Sequence, residues 1–318
     1  MKKQAETKSP QAYVVTGPTS GIGRATALSL AKHGTVVLVG RDRAKLDEVR
    51  ELIAHKGQQA VCVECDLSDP ASARRAGVEI AGLHLPIVGL VNNAGIMPLR
   101  AMKNARGWDL AFATNHLGPF ALTETLVPHL PDGATVVFVV SAVEDPGRKP
   151  AVAAGFRGGR FVSVEASVRG EWKPGGSEKP GYDAYATSKQ AIHASALAFA
   201  REAPRLRFNV VEPGLNPTTG LGRDAPAFVR FLIPLLVPLF VPFVKILSTP
   251  KRAARVITEA VMNASGGTAV YYDQDGQPMV GSELVRDPMF QDRVVSETRA
   301  FLSTTTAASI NSDAHQYV

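Results

Sequence analysis

Cysteine is scarce. The 318 residues contain two, too few for a disulfide framework or a four-cysteine zinc site. A reducing compartment is the simplest reading, so a cytoplasmic location is expected. A membrane-spanning run is missing too. Phe231 to Val244 is the candidate, but only 14 residues separate Arg230 from Lys245, where a transmembrane helix needs about 20. Pro234, Pro238 and Pro242 each remove a helix donor, a loss that lipid makes costly. Charge of one sign is not in large excess: 35 basic residues face 29 acidic ones, a net charge of +6. That favours anionic ligands slightly and provides no basic stripe of the kind that reads nucleic acid. The first residues stay polar to about Gln11 and lack the apolar core of a signal peptide. Residues 1–11 are expected to form a short mobile lead, and 303–318, rich in Thr, Ser and Ala, a loose tail.

With 45% hydrophobic and 20% charged residues, the composition is that of a globular protein and excludes global disorder. Short apolar runs alternate with longer amphipathic ones. Strands are expected at Tyr13–Thr16, Val36–Val39, Ala60–Glu64, Ile87–Val91, Thr135–Val140 and Phe208–Val211. Helices are expected at Ile22–His33, Ala44–His55, from Ser68, through most of Leu110–Val127 and at Tyr185–Ala203. Strands apolar on both faces and separated by helices imply a parallel sheet covered on both sides. Right-handed crossovers then give an α/β, doubly wound Rossmann fold. One domain is expected over 12–302.

Two segments break this rhythm. In 142–181, 12 of 40 residues are Gly or Pro, which marks a long insertion between a strand and its helix. The second, within 215–249, holds the apolar run 227–247. It is either a lid over an apolar substrate or a segment that dips into a membrane surface, with Arg230 and Lys245 at the headgroups.

Thr16-Gly17-Pro18-Thr19-Ser20-Gly21-Ile22-Gly23 joins the first strand to the first helix. Glycines there permit a tight turn and close approach to a pyrophosphate. The helix N-terminus offers free N–H groups to the anion. The second strand ends at Gly40-Arg41. A guanidinium pairs with a 2′-phosphate where an acid would repel it, so NADP(H) is favoured over NAD(H). Asp42 beside it pulls the other way.

These features resemble the short-chain dehydrogenase/reductases. Thr16-Gly17-x-x-x-Gly21-x-Gly23 is similar to their glycine motif. Asp66, followed by Leu67, is similar to their adenine contact. Asn92-Asn93-Ala94-Gly95 matches the segment after the fourth strand, and Tyr185-Ala186-Thr187-Ser188-Lys189 their YxxxK motif. Pro213-Gly214-x-x-x-Thr218 matches the turn that closes over the nicotinamide. Gly40-Arg41-Asp42, Gly107-Trp108 and Thr114 to Phe120 resemble most the retinol-dehydrogenase and protochlorophyllide-reductase-like branch. The resemblance implies a cofactor site of Thr16, Gly17, Thr19, Ser20, Gly21, Ile22, Gly23, Arg41, Asp66, Leu67, Asn92, Ala94, Gly95, Tyr185, Lys189, Pro213, Gly214 and Thr218, with no metal. It also implies a homodimer or homotetramer joined through the helices at Leu110–Val127 and Tyr185–Ala203, a contact the insertion could remodel.

Tyr185 and Lys189 lie four residues apart and share one helix face. A phenol near its usual pKa of about 10 is a poor acid-base at neutral pH, and a neighbouring ammonium and the positive nicotinamide ring of the oxidised cofactor are both expected to lower it. Tyr185 would then exchange a proton with a carbonyl oxygen. Ser141, at the end of the fifth strand, would hold that oxygen. A one-residue slip would put Ala142 there instead, and Ser163 and Ser167 are rivals. In the family, an Asn at the place of Asn115 kinks its helix and relays protons to the lysine, which also holds the nicotinamide ribose.

The expected activity is NADP(H)-dependent interconversion of a ketone or aldehyde with an alcohol on a bulky hydrophobic molecule. Two alternatives are reduction of C=C bonds and non-catalytic NADP binding. Cys62-Val63-Glu64-Cys65 has redox spacing but lies on a strand, so packed thiols are expected. The seven histidines show no metal-ligand spacing, and the Asn263-Ala264-Ser265 sequon is discounted for want of a signal peptide.

Overall fold

The computed structural model describes residues 11–215, 248–263 and 265–314. The polar lead as far as residue 10, Thr218 and the apolar run 227–247 lie outside the described residues, and with them the lid and membrane readings.

Eight strands form one sheet in the order β3-β2-β1-β4-β5-β6-β7-β8. These are β1 (Ala12–Thr16), β2 (Thr35–Gly40), β3 (Ala60–Glu64), β4 (Ile87–Asn92), β5 (Thr135–Val139), β6 (Arg207–Val211), β7 (Tyr271–Tyr272) and β8 (Pro278–Met279). All neighbouring pairs are parallel except β7 with β8. Every residue of β1 and β5 is buried, as strands covered on both faces must be.

The sheet's two faces carry separate cores. One packs Val14, Phe120, Phe138, Phe199 and Phe208 beneath α3 (Pro70–Gly82), α5 (Gly118–Leu126) and α8 (Pro180–Glu202). The other packs Val15, Leu30, Ile53 and Ile257 beneath α1 (Gly21–Leu30), α2 (Arg43–Ala54) and α9 (Pro250–Met262). Several of these helices start on side-chain caps, which satisfy otherwise orphaned N–H groups. Asp42 accepts from Lys45 N at 3.2 Å, Asp69 from Ala71 N at 3.3 Å, and Thr249 from Arg252 N at 3.2 Å.

The insertion is packed rather than loose. It contains a 3₁₀ turn (Ala142–Glu144), α6 (Lys149–Ala153) and α7 (Val164–Arg169). Phe161, Val164 and Val168 pack with Phe112 of α4 (Leu110–Phe112), Ala191 and Ala194 of α8, and Phe290 and Val294 of the last helix. Gly and Pro supply the turns between these pieces, while the spaced apolar residues anchor them.

Following the short α10 (Glu283–Arg286), α11 runs Pro288–Ala314, which corrects the expected loose tail from 303 as far as Ala314. Leu302 is fully buried, and the hydroxyls of Thr304 and Thr305 donate back to Phe301 O at 2.8 and 3.1 Å. Such back-bonding lets threonine stay inside a helix. Phe290 and Val294 of α11 cover α8, which is buried along almost its whole length from Gly181 to Ala200. Among the described residues no helix is long and apolar enough to cross a membrane.

Candidate active site

The sheet's strands end on a common C-terminal rim, where open α/β sheets bind ligands. The turn after β1 has Gly17 at φ +65° and Gly21 at φ +53°, the left-handed region that disfavours a side chain. Gly23 is tighter still. A Cβ there would lie 2.2 Å from Gly17 O and 2.4 Å from Asn93 Nδ2.

The loop is sewn to the segment after β4. Thr16 Oγ1 accepts from the N–H groups of Asn93 and Ala94, each at 3.0 Å. Asn93 Nδ2 donates to Thr16 O at 2.9 Å. Asn92 is buried, and its amide is spent on Thr123 Oγ1 at 2.9 Å, so the loop contact falls to its neighbour Asn93. The doubled asparagine was the signal for it, but strand alternation alone sends the two side chains opposite ways.

Ser20 caps α1 without a side-chain hydrogen bond, and the first turn holds no acid. Its N-terminal N–H groups therefore face the rim with no carboxylate competing for them, which fits a pyrophosphate. Arg41 is exposed at the end of β2. Asp42 is engaged elsewhere: besides capping α2, it pairs with Lys45 Nζ at 2.7 Å. Asp66 is exposed and accepts from Ser68 N at 2.8 Å, while Leu67 next to it is buried.

Tyr185 and Lys189 are buried one turn apart on α8. The Ser141 side chain reaches the Tyr185 phenol and eases its ionisation, so the serine, not Ala142, meets the phenol. Ser163 instead caps α7, accepting from Ala166 N at 3.1 Å, and Ser167 donates to Ser163 O at 2.7 Å. Both rivals are thus occupied in holding the insertion.

Burial and the negative charge of Glu212 push the Tyr185 phenol up from its ordinary value. The neighbouring ammonium therefore does not by itself lower it, as it was expected to do together with the nicotinamide ring of the oxidised cofactor. Lys189 Nζ lies 5.7 Å from the centre of the phenol ring and donates to Val139 O at 2.8 Å. Desolvation therefore outweighs the ammonium. The same burial pushes Lys189 down to about 8.

Asn115 sits in a π-helical turn, Ala113–Leu117, between α4 and α5. Such turns recur at functional sites. Its Oδ1 accepts from Ile96 N at 2.8 Å, and its Nδ2 donates to Ile96 O at 2.9 Å and Ser188 Oγ at 3.0 Å. It thus locks Ile96, just after the Asn92–Gly95 segment, to α8. A Cβ on Gly95 would lie 3.2 Å from Asn115 Oδ1 and 3.4 Å from Lys189 Nζ.

Sequence reading missed the apolar wall of this site. Phe156 from the insertion stacks on Tyr182 at 4.1 Å and tilts against Tyr185 at 6.4 Å. Met97 and Val143 pack against the same cluster. No periodicity marks Phe156, because it lies on a loop between two short helices.

Sequence reading also missed a buried polar cluster behind the site. Glu144 is fully buried and accepts from Ser282 Oγ at 2.6 Å and Ser282 N at 3.1 Å. His193 Nδ1 lies 3.8 Å from Glu144 Oε1. Burial raises Glu144 from 4.5 to about 7. A carboxyl whose folded pKa is raised contributes stability that is full below the unfolded value and lost as pH rises through the folded one. Glu144→Gln is therefore expected to lose more thermal stability relative to wild type at pH 5 than at pH 8. Parallel melts of the two proteins across that range would show a constant gap if this is wrong.

Cys62 and Cys65 are buried free thiols, and burial pushes Cys65 up to about 12. Neither is a ready thiolate at neutral pH.

The profile of the short chain dehydrogenases matches residues 11–153. An uncharacterized oxidoreductase of Methylorubrum extorquens is 31% identical, the match covering 65% of this chain and 73% of that protein. Retinol dehydrogenase 11 of Homo sapiens is 39% identical, over 42% of this chain and 44% of its own. The crystal structure of a blue fluorescent protein from a metagenomic library, in complex with NADPH, has a TM-score of 0.61 at 21% identity, covering 84% of this chain and 97% of that one. The chain belongs to the short-chain dehydrogenase/reductase family, a family of oxidoreductases. It spans 63–64% of the length of the first three curated relatives it matches.

Proposed function

We propose that this protein is an NADP(H)-dependent oxidoreductase that interconverts a ketone or aldehyde with an alcohol on a bulky apolar molecule. The observation that carries this is the meeting of Ser141, Tyr185, Lys189 and Asn115 beside the glycine turn, although they come from three separate stretches of chain. A relative named for retinol and a structural neighbour crystallised with NADPH support the same reading.

The turn from Thr16 to Gly23, with Asp66, Leu67, Ala94 and Gly95, would hold the dinucleotide. Lys189 would hold its ribose hydroxyls, and Pro213-Gly214 would close on it. Bound NADPH supplies hydride. Ser141 Oγ orients the substrate oxygen, and the Tyr185 phenol gives that oxygen a proton on reduction and takes it back on oxidation. A phenol held protonated by burial is suited to the donating direction. Phe156, Tyr182, Met97 and Val143 keep water from the reacting centre and favour terpenoid-, steroid-, retinoid- or polyketide-like substrates. Self-association as a homodimer or homotetramer would have to use a surface other than α8, since α11 and the insertion cover that helix.

The test is NADPH consumption across a panel of bulky ketones, aldehydes and enones with products identified. Alcohol products support the proposal. Saturated enone products move the reaction to C=C bonds, and tight NADPH binding without turnover would sink the enzyme reading.

Arg41 should decide between cofactors. Arg41→Ala is expected to raise the Kd for NADPH about tenfold, the value of one charge-assisted pair, and to leave NADH unchanged. Equal effects on both, read by fluorescence titration, would show that Arg41 does not meet the 2′-phosphate.

A further inference from the structure

Among the described residues, a buried carboxyl at the end of β6 has no use in the chemistry above. Glu212 follows β6 and precedes Pro213-Gly214, and it is 8% exposed. Burial pushes this carboxyl above its ordinary pKa, and hydrogen bonds and nearby cations oppose that push; the hydrogen bonds come from two different rims. Its Oε2 accepts from the N–H of Ala142, the residue after Ser141. It also accepts from the N–H of Gly214, whose φ of +72° turns the chain back at that point.

The place of these bonds matters. The β5–β6 ladder pairs residues as far as Val139 with Val211, and its last backbone rung is Val140 N to Val211 O at 3.0 Å. Beyond that rung the Glu212 side chain replaces the backbone as the link between strands. The two segments it joins carry Ser141 on one side and the Pro213-Gly214 turn on the other.

Resting on the reductase reading, we propose that Glu212 is a positioning residue. It fixes the separation of Ser141 from the Pro213-Gly214 turn and acts as the electrostatic counterweight to Lys189.

The charges around it are consistent with this role. Tyr185 and Lys189 face it from α8, Glu144 and Arg148 from the insertion, and Tyr271 from β7. Lys189 Nζ bonds Val139 O, and Val139 pairs with Val211 next to Glu212; burial pulls that ammonium down, and the Glu212 charge opposes the pull. Burial keeps the Tyr185 phenol protonated, and the same charge adds to that effect. Removing it should therefore release both groups' protons at lower pH.

Glu212→Gln keeps the shape and removes the charge, whereas Glu212→Ala removes both. The first readout is an NMR titration of the Lys189 side chain in wild type and Glu212→Gln, with Lys189→Arg to assign the signal. The midpoint is expected to fall by about one pH unit in Glu212→Gln. The second readout is steady-state NADPH-dependent reduction. Glu212→Gln should shift the pH profile of kcat in the same direction, with NADPH Kd held within about twofold. Glu212→Ala should lower kcat by about 10²-fold, because Ser141 and the turn lose their shared anchor. An unmoved Lys189 midpoint, or a wild-type kcat in Glu212→Ala, overturns the proposal. The titration needs no turnover. A shifted midpoint in a protein that reduces nothing on the panel would uphold the link between Glu212 and Lys189 and overturn only the reductase reading.

Discussion

Tyr185→Phe is expected to lower turnover by about 10³-fold while leaving NADPH affinity within about twofold, since general acid–base groups contribute on that scale. The substitution deletes one oxygen and keeps the ring. That ring is buried against Phe156 and Ala186, so packing is preserved and the fold should survive. What disappears is the phenolic hydroxyl that the Ser141 side chain reaches. Ser141 and the glycine turn would remain, so substrate and cofactor should still bind. Steady-state kinetics beside fluorescence titration with NADPH separates the two effects. A variant that keeps a tenth or more of wild-type kcat would remove Tyr185 from the proton transfer and reopen the choice of acid.

Gly23→Ala should act on the opposite half of the site. The new Cβ would lie 2.2 Å from Gly17 O and 2.4 Å from Asn93 Nδ2. The first of these is backbone and cannot swing aside. The turn must move, and Asn93 with it, although Asn93 Nδ2 is what ties this segment to Thr16 O. Displacements of about an ångström at a positioned site cost on the order of 10²-fold, so NADPH Kd is expected to rise by that factor. Calorimetric titration would measure it, with circular dichroism to show that the sheet persists. Unchanged affinity would mean that the turn does not cradle the cofactor. Gly57, at a φ of +71° with nothing within 4 Å of a Cβ, is a control site: alanine there tests backbone strain without a clash.

The strands, the helices flanking them and the order of the motifs were legible because each rests on local pattern. Tyr13–Thr16 and Thr135–Val140 are apolar on both faces, and that alone requires helices above and below. The spacing of Tyr185 and Lys189 fixes their shared helix face. Asn115 was read as a kink in its helix, and the structure has a π turn there.

Other features were hidden because they depend on distant partners. Phe156 and Glu144 sit in a stretch whose Gly and Pro content signals turns, yet tertiary contacts bury both. Pro288–Ala314 looked like a tail at its polar end, but Leu302 docks into the core and carries the helix onward. Glu212 carries no motif of its own. Its meaning comes from Ala142, seventy residues earlier in the chain.

The sequence by itself determined the parallel sheet, the glycine turn and the shared helix face of Tyr185 and Lys189, because periodicity and spacing act over a few residues. The tertiary structure decided which serine meets Tyr185, what walls the site and how strongly its protons are held. Those depend on desolvation and on charges brought together across the fold, and neither is written in any short stretch of chain.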